Sequence, residues 1–108
     1  MLERVKTALR VATTVYDQEL LGLIASGIMD IKHAGAQFEV TEVKTEDVVT
    51  DYTVPDPMIQ TAIVLYCKLY FGSPDDFDRL KAAYDEQKGQ VRESTAYGMV
   101  DATKEVVL

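Results

Sequence analysis

No tryptophan, a single histidine and a single cysteine leave this sequence little with which to build a reactive site. The lone Cys67 excludes an internal disulfide and fits a reducing compartment. No apolar run approaches the roughly 20 residues that span a bilayer. The best stretch, Ala62 to Tyr66 with its flanks, is interrupted by Lys68. The first residues, Met1 to Lys6, scatter charges where a secretion signal would be apolar, which predicts a protein that stays in the cytoplasm where it is made. Glycine-rich phosphate loops are missing, since Gly22 and Gly27 stand alone in a helical pattern. Clustered bases are missing too. The net charge is −7, and between Phe38 and Asp56 six acids face only Lys44. Nucleic-acid binders neutralise phosphates with grouped Lys and Arg, so direct gripping of DNA or RNA is excluded, though passive proximity is not.

What is present is helix. A chain of 108 residues holds one core. Leu2, Val5 and Leu9 form the stripe of a short first helix ending near Arg10 to Ala12. The β-branched run Val11 to Val15 reads as a connector. Asp17 suits an N-cap, and from it Leu20, Leu23, Ile24, Gly27, Ile31 and Ala34 share one face of a second helix. Gly35 stands where a left-handed C-terminal residue is wanted. Pro55-Asp56-Pro57 opens a third helix, with Asp56 as cap and Pro57 in the first turn. This helix is predicted over 57–71, about 22 Å long and apolar almost all round, so it should be central. Ser73-Pro74-Asp75-Asp76 repeats the start signal for a fourth helix running to about Val91, with a stripe of Phe77, Leu80, Tyr84 and Val91. The core is predicted around Leu20, Ile24, Ile31, Ile59, Ile63, Tyr66 and Leu80.

Two segments resist this reading. Residues 36–54 are acidic, with Phe38 and Val40 alternating with polar neighbours before Val48, Val49 and Tyr52. They read either as a loose β-hairpin lacking an Asn-Gly or Asp-Gly turn, or as a mobile acidic loop. Residues 92–108 show no sustained period and read as an extended tail. The fold class is therefore all-α: a bundle of about four helices over 1–91, with an insertion at 36–54 and a C-terminal tail or arm at 92–108.

Candidate chemistry is sparse. His33 projects onto the polar face of the second helix as a solvated side chain. Cys67 sits in an apolar helix as a small hydrophobe, without a basic neighbour to activate it. Glu39, Glu42, Glu46, Asp47 and Asp51 lack the alternating order of a calcium loop. No catalytic, cofactor-binding or metal-binding residue is predicted, and no cofactor. Gly27 on the apolar face suits close approach of another helix. What stands out instead is apolar surface: Val64, Cys67 and Phe71 on the central helix are either covered by the fourth helix and the loop or left for a partner. Large apolar patches mark interfaces. The predicted contact residues are Phe38, Val40, Val43, Val48, Val49, Tyr52, Val64 and Phe71, and in the tail Tyr97, Met99, Val100, Val106, Val107 and Leu108.

The order of these motifs resembles a known family. Leu2-x-x-Val5-Lys6-x-x-Leu9-Arg10-Val11 is followed by Asp17-x-x-Leu20-x-x-Leu23-Ile24, then by Pro57-x-Ile59-x-x-Ala62-Ile63-x-Leu65. Asp78-Arg79-Leu80 and Tyr84 come after Gly72-Ser73-Pro74. Over roughly residues 2 to 91 the series is similar to the small head–tail connector proteins of long-tailed bacteriophages. The resemblance implies a non-enzymatic helical adaptor at the head–tail junction of the virion. Such adaptors form a homo-oligomeric ring, typically twelvefold, under the portal protein. The ring extends the DNA channel and presents a surface to the next head-completion or tail protein. On this reading the five acids of 36–54 line the channel or its loops, DNA is only passing cargo, and no membrane is involved. The segment 36–54 is long for the family. Two other classes compete: a dimeric regulatory binder of antitoxin-like or anti-repressor-like type, and an enzyme, which a bound metal with hydrolytic activity would indicate.

Overall fold

A computed structural model describes residues 1–72 and 74–94 in full; of 95–107 it gives only the backbone. The element order is α1 (Leu2–Leu9), α2 (Asp17–His33), β1 (Thr41–Thr45), β2 (Val48–Thr53), α3 (Pro57–Tyr70) and α4 (Phe77–Val107). α3 begins where the sequence predicts: the Asp56 carboxylate accepts the Met58 N–H at 2.9 Å, and Pro57 fills the first turn. Its Ile59, Ala62, Ile63, Cys67 and Leu69 are buried, and it packs on α1, α2 and α4. An apolar-all-round helix needs this central place, because only there does every face meet another element.

α2 contributes Leu20, Leu21, Ile24, Gly27, Ile28 and Ile31 to the same core. Gly27 lets the two helices approach closely, since a Cβ there would stand 3.1 Å from two carbons of the Tyr66 ring. Gly35 closes the helix at φ 108°, as the sequence predicts. Asp17 does not cap α2: the N-cap is Tyr16, without a side-chain bond. Asp17 instead pairs with Lys6 of α1 at 2.9 Å, and the Lys6 side chain is only 9% exposed. A buried ammonium needs a counter-charge more than a helix N-terminus needs one more acceptor. Of the predicted core, Leu20, Ile24, Ile31, Ile59 and Ile63 are fully buried, while Tyr66 and Leu80 are half-buried.

The segment 36–54 is a hairpin. β1 and β2 pair antiparallel from Thr41↔Thr53 to Thr45↔Val48, with a register shift between Val43 and Lys44. Its two-residue turn is Glu46-Asp47, both left-handed at φ 52° and 64°. Two successive positive φ values make the type I′ geometry that matches strand twist, so these acids take the place that Asn-Gly would normally fill.

The fourth helix starts later and runs further than the sequence predicts. Pro74, Asp75 and Asp76 precede it, and its first residue is Phe77; the predicted cap Ser73 lies outside the described residues. Its backbone continues past Val91 to Val107. No proline follows Pro74 to stop the helix, but the added stretch mixes strong helix formers with Gly98 and β-branched residues and carries no apolar stripe that would have revealed it. Tyr84 and Val91 are buried, whereas Phe77 is 41% exposed because it stands at the helix start, edge-on to Tyr70.

Candidate interaction surfaces

Three surface regions are built around α1 and α3. The first is the root of the hairpin. The Asp51 carboxylate accepts from the Leu2 N–H at 2.9 Å and the Tyr52 N–H at 2.7 Å, and lies 3.3 Å from the amino group of Met1. Burial acting alone would raise the Asp51 pKa, but these three donors overcome it and hold the carboxyl below its ordinary value. The predicted channel acid Asp51 is thus committed to closing the first turn of α1. Phe38, Val40 and Tyr52 pack half-buried against the core. Beyond them Val49 is half-buried, while Val43 and Val48 are 41% and 57% exposed. Glu39, Glu42, Glu46 and Asp47 are all exposed.

The second region is an open groove of about 410 Å³ between α1 and α3, lined by Glu3, Arg4, Thr7, Ala8 and Val64. The half-buried Val64 forms its apolar floor with Ala8, so the central helix does leave a face open to solvent there.

The third lies at the far end of α3. Tyr16, before α2, meets Phe71, after α3, edge-on at 5.4 Å. Tyr70 stacks against Tyr66 at 4.7 Å and Phe77 at 6.5 Å, and Tyr66 continues inward to Tyr84 at 5.6 Å. Val15, Tyr16, Tyr70 and Phe77 are 78%, 44%, 45% and 41% exposed. This aromatic end was not read from the sequence, apart from Phe71. Its residues come from two connectors and two helix ends, and helical periodicity carries no signal in such places. The apolar pairs Val15-Tyr16 and Tyr70-Phe71, set at or beside connectors that should be polar, were the available hint.

Burial pushes the Cys67 thiol up to about 12, so it stays protonated. His33 is exposed at the end of α2 beside Met29 and Lys32. Tyr84 donates to Asp30 at 2.5 Å, and Lys88 lies 3.2 Å from the same oxygen and 5.0 Å over the Tyr84 ring. Burial opposes ionisation of Asp30, yet these two donors leave its pKa lowered, while burial and the Asp30 charge raise that of Tyr84. The cluster ties α2 to α4. Among the described residues no group of three or more His, Cys, Asp or Glu side chains is placed to hold a metal ion, and no helix is long and apolar enough to cross a membrane. The predicted contacts Tyr97, Met99, Val100, Val106, Val107 and Leu108 lie outside the residues whose side chains are described.

A family model described as phage connector protein matches residues 1–98. The chain belongs to that family. No match was found among curated proteins or solved structures. As a phage connector it is a virion component with a structural role, made to contact other head or tail proteins. The match takes in both connectors, the hairpin and the start of the segment predicted as a tail. All three surfaces therefore belong to the connector itself, and the long 36–54 segment falls within the matched region.

Proposed function

We propose that this connector assembles as a homo-oligomeric ring, twelvefold in the virion, under the portal protein at the head–tail junction. There it extends the DNA channel and docks the next head-completion or tail protein. One observation carries the reading. α3 starts just after the hairpin root and ends at the aromatic patch, so two unlike surfaces sit at opposite ends of the central helix. A two-fold dimer uses one self-complementary patch and leaves the other bare. Unlike surfaces at opposite ends suit a protein with a different neighbour on each side. The aromatic end, with Tyr16, Tyr70 and Phe77 exposed, is the docking face for the portal or the next component, since aromatic clusters dominate such contacts. The exposed acids Glu39 and Glu42 near the hairpin root suit a wall along which DNA slides, because carboxylates offer phosphate no ion pair.

Electron microscopy of the chain mixed with its portal protein tests this. Rings capping the portal are expected, and Tyr16→Ser with Phe77→Ser should abolish attachment while the chain stays folded. A compact two-fold dimer that ignores the portal would replace the ring by a regulatory binder.

A further inference from the structure

A two-stranded ribbon is only marginally stable in water. Here all five residues of β1 are exposed, and the hairpin meets the helices through β2, where Val49, Asp51 and Tyr52 are half-buried while Val48 and Thr50 are exposed. Its tip, exposed on both strands, stands away from that root: about five residues separate the two, a reach of about 17 Å at strand rise. At the tip Val48 is 57% exposed next to Glu46 and Asp47, and neither acid forms an ion pair among the described residues. The α1–α3 groove has the complementary character. Its floor is Ala8 and Val64, its wall carries Arg4, and Arg10 follows at the end of α1. Both arginines are exposed and neither is paired among the described residues. Glu3 is the like charge on that wall, and the two guanidinium groups outnumber it.

We propose that the hairpin tip of one copy seats in the α1–α3 groove of the next, with Val48 on Ala8 and Val64 and with Glu46 and Asp47 against Arg4 and Arg10. The contact rests on the ring reading and names the two faces that close the ring. Each copy has one projecting tip and one groove, which makes the contact head-to-tail. Pairing tip to tip would set Glu46 and Asp47 against their own copies, a juxtaposition that like charges disfavour.

Cysteine cross-linking of the full chain tests it, because the native Cys67 is fully buried and stays out of the reaction. Under a mild oxidant, a mixture of Val48→Cys and Ala8→Cys chains should give a disulfide-linked dimer. Neither variant alone should do so, and a chain carrying both should give a ladder. Adding Glu46→Lys and Asp47→Lys to the first chain should erase the mixed dimer, and Arg4→Glu with Arg10→Glu in the second should restore it. Absence of the mixed dimer, efficient linking of Val48→Cys to itself, or indifference to charge reversal overturns the contact. Microscopy of the same chains on the portal separates the two readings: rings without the cross-link leave the ring standing and remove only this interface.

Discussion

Asp51 lies in β2, yet its carboxylate closes the first turn of α1 through the Leu2 N–H and the Met1 amino group. Nothing in sequence spacing links residues so far apart, so the sequence could only count Asp51 among the acids of its segment. Asp17 shows the reverse: a good capping residue by position, it was drawn away by the buried Lys6 ammonium. Both Asp51 and Asp30 have lowered pKa values, which fixes a sign for acid stability. Their contribution is complete above the unfolded carboxylate value of about 3.9 and fades as pH falls through the lower folded values. Thermal melts should therefore lose Tm below about pH 4, and Asp51→Asn should lower Tm at neutral pH while flattening that acid limb. An Asp51→Asn profile parallel to the parent would show that the carboxylate adds nothing. Gly27 was read correctly as a packing position, because a glycine on an apolar helical face has few other reasons to be there. With Tyr66 already 3.1 Å from where a Cβ would sit, Gly27→Leu should cost about 1–3 kcal/mol in chemical unfolding. An unchanged midpoint would mean the two helices can separate freely.

At the scale of elements, legibility followed apolar period and capping chemistry. α3 carries both, α2 carries the period and its Gly35 terminus, and their extents agree with the sequence to within a residue at each end. The hairpin carries neither: β1 buries nothing, and its turn is built from residues that enter left-handed conformations only at a cost. That is why hairpin and loop stayed equally open readings of 36–54. The same strain makes the turn a place to gain stability. Glu46→Asn with Asp47→Gly supplies the preferred type I′ pair and should raise amide protection across β1 and β2 in hydrogen exchange. The parent hairpin should exchange well before α3, since it has so little burial to hold it. Equal protection of hairpin and α3 in the parent would contradict this account. The substitution also removes the tip acids. It should therefore steady the monomer and weaken assembly together, and improved assembly would argue against a tip that works by charge.

For the whole molecule, the family was legible because connector membership is written in the order of helix starts and apolar stripes, which a sequence displays directly. The surfaces were not, since they arise where separate elements meet, as Tyr16 meets Phe71. The end of the chain joins both problems. The last residues with a described role in the core are Val91, which is buried, and Arg92, whose stem lies 3.3 Å from the Cβ position of Gly35. Beyond them the sequence places Tyr97, Met99, Val100, Val106, Val107 and Leu108 too sparsely for a core of their own. We propose that this part of α4 is an assembly arm whose scattered apolar residues dock on a neighbouring protein. Deleting residues 95–108 leaves Val91 and Arg92 in place and should shift unfolding free energy by no more than about 0.5 kcal/mol, the scale of a change outside the core. Attachment to the portal or to the next component should weaken at the same time. A truncated chain that forms rings and completes heads as well as the full chain would remove the arm. A truncated chain that unfolds would place these residues in the core instead.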